Sequence, residues 1–130
     1  MTRREEYEYL IERSRRFYET AIMQMDRGFY DLAAFSLEQS LQLSLKAGLL
    51  KLGVDYPRTH SVRRLLELIC KITGRREIRE LLSRFSVELG GLEDAYITSR
   101  YVAREYSPEE VERLRRVVEE VANVVRRAID

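Results

Sequence analysis

The sequence predicts an all-α fold. Proline occurs only at Pro57 and Pro108, both at segment edges, and apolar residues recur at three- and four-residue spacing instead of alternating. Val111, Leu114, Val118, Val121, Val125 and Ala128 follow a 3-4-3-4-3 seam, the pattern of a helix packed at a small crossing angle in a bundle. At 130 residues and 15.4 kDa, a single domain over residues 1–130 is expected. A chain of that length buries roughly two-thirds of its unfolded surface.

The first helix is expected from about Thr2 to Asp26, with Tyr7, Leu10, Ile11, Phe17, Tyr18, Ala21, Ile22 and Met25 on one apolar face and Arg27 and Gly28 ending it. The second, about Phe29 to Leu52, is the most apolar, with only Asp31, Glu38, Lys46 and Lys51 charged, so it should be central. Ser36, Ser40, Ser44 and Gly48 repeat every four residues on it and allow a close helix approach, from the same chain or from a second subunit. After Gly53 and Pro57, Thr59 or Ser61 caps a third helix that runs to about Thr73 and stops at Gly74. A fourth segment spans Arg75 to about Val87. Gly90 and Gly91 are expected to break or kink the chain before a further helix from near Leu92 to about Glu105. Ser107 with Glu110 forms a capping box for the last helix, and Pro108 takes its first position.

Composition narrows the function classes. A net charge of +1 argues against a broad electrostatic footprint for duplex nucleic acid, so any anion site must be local. Cys70 is alone and cannot pair within the chain, and the N-terminal "MTRREEYEYL" holds no apolar run of signal-peptide type. With no stretch of about 18 uncharged apolar residues, a soluble, cytoplasmic protein without a membrane partner is expected. His60 is the only histidine, and no Cys, His or carboxylate cluster has metal-ligand spacing. Neither common phosphate-binding glycine loop is present. No metal, cofactor or catalytic residue is therefore assigned.

The informative residues are cations without partners. Most arginines have a carboxylate one turn away, as Arg115 and Arg116 have Glu112 and Glu119. Arg13, Lys46, Arg75, Arg79, Arg100 and Arg104 have none. If the helix holds to Glu105, Tyr96, Arg100 and Arg104 share a face, which sets two guanidinium groups beside an aromatic ring. Guanidinium binds phosphate through a planar fork and stacks on ring faces, so that face suits a phosphate or a base. Interhelical ion pairing with Glu38 or Glu93 is the structural alternative, and the helix dipole alone favours a cation at Arg104. The expected nucleotide- or phosphate-binding set is Arg100, Arg104, Tyr96, Tyr101, Tyr106, Lys46 and His60.

"GFYDLAAFSLEQSLQLSLKAGLLKLGVDYPRTHSVRRLLEL" together with "SRYVAREYSPEEVERL" closely resembles the HEPN domain, the small helical partner often encoded beside a minimal nucleotidyltransferase. The resemblance implies an up-and-down bundle of four to five long helices, often a homodimer. Ribonuclease members resemble one another in an Arg-x4-6-His motif near the start of the last long helix. Arg100 matches the arginine slot, whereas the histidine slots read Glu105, Tyr106 and Ser107. Metal-free RNA cleavage needs groups that move protons near neutral pH, which histidine does and arginine does not. Some members carry a tyrosine after the motif that the partner nucleotidyltransferase modifies. Tyr106 falls one residue early for that role and is expected as a solvent-facing linker residue.

The expected function is a nucleotide- or RNA-binding homodimer acting with a separate minimal nucleotidyltransferase, in a two-component module of toxin–antitoxin type, without ribonuclease activity. The alternatives are a metal-independent ribonuclease that pairs Arg100 with Glu105 or a displaced His60, and a bundle used only for assembly.

Overall fold

The computed structural model describes residues 1–130, the side chain of Ser99 excepted. Among them lie six helices and no strand: α1 (Arg3–Asp26), α2 (Tyr30–Lys51), α3 (Val62–Thr73), α4 (Arg76–Arg84), α5 (Ser86–Tyr101) and α6 (Pro108–Ile129). No helix of the described residues is long and apolar enough to cross a membrane.

α1 begins at a capping box in which Thr2 Oγ1 accepts from the Glu5 amide at 3.1 Å and Glu5 Oε1 accepts from the Thr2 amide at 3.3 Å. Gly28, at φ 77°, takes the left-handed conformation that lets the chain reverse into α2. α2 occupies the centre. Leu37, Leu41, Leu45 and Leu49 are fully buried at four-residue intervals, each stabilising the fold by about 1.5–3 kcal/mol.

The small residues of α2 meet elements of the same chain. Ser14 Oγ donates to the Ser40 carbonyl at 2.6 Å, Ser40 Oγ donates to the Ser14 carbonyl at 2.9 Å, and Ser36 Oγ donates to Gln24 at 2.7 Å. These reciprocal bonds fix α1 antiparallel to α2. A Cβ built on Gly48 would stand 3.4–3.7 Å from Ile129, Ile69 and Val125, so the far end of the stripe admits α3 and α6.

The loop after α2 turns back along it. Tyr56 reaches Glu6 at 2.9 Å, and His60 comes beside Gln42 before Ser61 caps α3 by accepting from the Arg64 amide at 3.1 Å. Gly74 ends α3 in the left-handed conformation at φ 64°.

The chain then departs from the sequence expectation. The joint between α4 and α5 lies at Phe85, and α5 runs through Gly90 and Gly91 without the expected break, so the six segments read from the residues form six helices where the family resemblance implied four to five long ones. Leu89 and Leu92 on either side are fully buried, and their packing outweighs a cost of roughly 1 kcal/mol per glycine. Gly90 also leaves room for Arg63, whose guanidinium crosses it to donate to the Ser86 carbonyl. α5 ends at Tyr101, not Glu105, because Val102 is extended and Tyr106 turns into the core.

Candidate functional site

α5 and α2 run antiparallel and carry the site between them. Tyr96 of α5 is its centre: the His60 ring stacks on it at 4.5 Å and 19°, and the Phe35 ring lies at 6.3 Å and 24°. One turn on, Arg100 Nη1 donates to the Tyr96 hydroxyl at 2.7 Å, with its guanidinium carbon 5.1 Å from the Tyr96 ring centre and 5.2 Å from that of Tyr101. Arg100 is exposed, and none of its ion pairs appears among the described residues: Glu38 and Glu93 are both engaged elsewhere.

Beneath the aromatic stack lies a polar relay from α2. Gln42 Nε2 donates to Glu38 Oε2 at 2.7 Å, and Gln39 Nε2 donates to Glu38 Oε1 at 2.8 Å. The other end of the Gln42 amide, Oε1, accepts from Lys46 Nζ at 3.0 Å and faces His60 Nδ1 at 3.4 Å. Glu38 is fully buried, and burial pushes its carboxyl up to about 7, against the opposing pull of the Gln39 and Gln42 amides and of Lys46. Burial likewise lowers the Lys46 ammonium, partly offset by Glu38; its Nζ lies 5.4 Å from the Tyr56 ring centre. Glu93 accepts from Ser61 Oγ and from the Arg63 amide at 3.1 Å, so it covers the N-terminus of α3.

Of the seven residues expected to form one site, five gather here: Arg100, Tyr96, Tyr101, His60 and, through Gln42, Lys46. Arg104 and Tyr106 correct the expectation. With α5 ending at Tyr101, Arg104 lies on the connector, where it ion-pairs with Glu110 at 2.8 Å and sits 3.9 Å over the Tyr106 ring. The Ser107 amide first, and Arg104 second, hold the Glu110 carboxyl below its ordinary value. Tyr106 does not face solvent: it is 7% exposed, part of the core, with its hydroxyl 2.9 Å from Thr98 Oγ1. Arg100 and Arg104 still line one open depression of about 260 Å³ with Asp31 and Tyr101, but of the two only Arg100 has no carboxylate partner among the described residues.

Phe35 and Gln42 were not among the expected site residues. The available signal was the run "EQSLQ", which places Glu38, Gln39 and Gln42 in an otherwise apolar helix, and buried polar groups there require partners.

The arrangement offers stacking faces, a histidine and a guanidinium, that of Arg100, without a carboxylate partner among the described residues. No three His, Cys, Asp or Glu side chains converge as a metal site among the described residues.

Comparison with known proteins identifies the fold. A family model described as the HEPN domain matches residues 7–128. No curated protein matches the chain. The crystal structure of an archaeal HEPN homologue superimposes with a TM-score of 0.73 over 95% of this chain and 98% of that one, at 23% identity. The fold is shared, and since the family model spans all but the two ends of the sequence, this chain belongs to the HEPN domain family.

Proposed function

We propose that the protein is a nucleotide- or RNA-binding homodimer that works with a separate minimal nucleotidyltransferase, in a two-component module of toxin–antitoxin type, and that it does not cleave RNA. Family membership supports a nucleotide- or RNA-related role. The observation that carries the reading is Arg100: an exposed guanidinium with no carboxylate partner among the described residues, held against Tyr96 and Tyr101. Leaving its charge unmatched on an aromatic platform suits an incoming phosphate whose base or sugar stacks nearby.

Ribonuclease catalysis is left out because the slots that would hold the motif histidine contain Glu105, Tyr106 and Ser107, and Tyr106 is in the core. One observation favours a second reading: His60 stacks on the same Tyr96 that Arg100 contacts, so the histidine lies at the site of the motif arginine.

Titration of ATP and a short single-stranded RNA tests the binding reading. Wild type should bind saturably, and Arg100→Ala should weaken binding roughly ten- to hundredfold, the worth of a charge-assisted contact of about 1.5–3 kcal/mol. Absence of saturable binding to wild type overturns it. Metal-free incubation with the same RNA separates the two readings, since only the second expects cleavage that Arg100→Ala abolishes. Light scattering should give a mass near twice the 15.4 kDa of the chain.

A further inference from the structure

We propose that Gln42 is a positioning residue that keeps the proton of neutral His60 on Nδ1, so that Nε2 stands as the site's acceptor for a hydroxyl or amino group of the ligand. The ligand half of this inference rests on the nucleotide reading above, and the tautomer half does not.

The geometry fixes the Gln42 amide from both sides. An ammonium only donates, so Lys46 fixes the amide whatever the protonation of the Glu38 carboxyl. The amide must therefore turn Nε2 towards Glu38, at 2.7 Å, and Oε1 towards Lys46, at 3.0 Å. The atom that His60 Nδ1 faces at 3.4 Å is that same Oε1, which can only accept. A neutral imidazole in this position satisfies it by carrying the proton on Nδ1, opposite to the preference of the free side chain, since the partner of one ring nitrogen sets the state of the other.

Gln42 is 4% exposed, so its amide has little freedom to turn. Facing Glu38 are the Gln39 and Gln42 amides and the Lys46 ammonium from α2, and the Glu93 carboxylate from α5. Facing His60 are Gln42 from α2 and the Tyr96 ring from α5. Nε2 has no protein partner among the described residues, and the side chain is exposed.

The consequence for recognition is a division of labour. Arg100 supplies the cation for a phosphate, while His60 in its neutral form offers a lone pair, which repels a phosphate oxygen and accepts from an O–H or N–H. A nucleotide carries both kinds of group, on its phosphate and on its ribose or base. An inorganic anion such as sulfate carries only one.

Because His60 is the only histidine, long-range proton–nitrogen NMR reads its tautomer without assignment ambiguity. The spectrum is taken at about pH 9, above the ordinary imidazole range, with Glu38, pushed up to about 7, ionised. Nδ1 is expected in the protonated, pyrrole-like range and Nε2 in the pyridine-like range; the reverse pattern overturns the proposal. Gln42→Leu removes the acceptor and should return the ring to mostly Nε2–H, whereas an unchanged tautomer shows that Gln42 does not set it. Where that variant fails to fold, Glu38→Leu with Gln42→Leu removes both members of the buried pair and reads the same quantity. Added AMP should shift the Nε2 resonance towards the hydrogen-bonded range and sulfate should not. Equal shifts from both reject the acceptor role. No change anywhere in the spectrum with AMP rejects the nucleotide reading and the ligand half that rests on it, leaving the tautomer result standing.

Discussion

Arg100 and Arg104 stand four residues apart and have come to opposite fates. Arg100 sits on the last turn of α5, on aromatic faces and open to solvent, with no carboxylate among the described residues as its partner. Arg104 sits past the helix end, still exposed, with its charge matched by Glu110 and its guanidinium over the Tyr106 ring. What separates them is the helix terminus at Tyr101. A register argument that holds for a continuous helix fails once the chain leaves it, because Glu110 is six residues from Arg104 and reaches it only around an extended connector.

The largest test of that contrast concerns its anchor. Tyr106→Ala should destabilise the protein by about 3–5 kcal/mol, as for a large buried aromatic side chain. Tyr101→Ala on the open side should stay within about 0.5 kcal/mol. Urea unfolding of both variants measures the difference, and equal effects would erase the distinction between a closed corner and an open face.

Next comes the floor of the open face. Glu38 titrates near 7 in the folded state against an ordinary 4.5, so the folded form holds its proton more tightly. Its contribution to stability is therefore complete below about pH 4.5 and is lost as pH rises through 7, by up to about 3 kcal/mol. Glu38→Gln should remove that slope, so the variant gains on wild type between about pH 5 and pH 8. Parallel unfolding midpoints for the two proteins across that window would show that the carboxyl is not buried as described.

The smallest effects belong to the arginines. Arg100→Ala should lower nucleotide or RNA affinity by about 1.5–3 kcal/mol and leave stability nearly unchanged. Arg104→Ala should cost less than about 1 kcal/mol of stability, since its ion pair is partly exposed, and should change affinity less than Arg100→Ala does. An Arg104→Ala loss of binding equal to that of Arg100→Ala would mean that the two guanidinium groups act as one site after all.

Much of this was legible in the sequence. Apolar periodicity placed α1, α2, α3 and α6 within a few residues, and "SPEE" specified the start of α6 through a capping box that forms as spaced, with both bonds at 3.1 Å. The family resemblance in "EQSLQLSLKA" and "PRTHS" pointed to the same fold that the family model and the archaeal structure support. Less visible were the features that depend on tertiary packing. Gly90 and Gly91 read as a break because propensity is local, while Leu89 and Leu92 bury across several helices. His60 meets Gln42 across 18 residues only because the loop after α2 doubles back, and no spacing rule anticipates that return. Lys46 lacked a carboxylate partner in the sequence and found an amide instead.

Glu93 lies where the first amides of α3 point outward, with Ser61 Oγ and the Arg63 amide already bound to its carboxylate. The commonest ready-made cradle for an anion, the positive end of a helix, is thus occupied by the chain's own acid. If a phosphate docks as proposed, it meets side-chain charge alone, chiefly the Arg100 guanidinium, and so displaces few counterions. Added salt should then loosen the complex only gently, with a logarithmic slope of about 0.7 for one single-strand phosphate, and recognition must draw most of its strength from ring against ring.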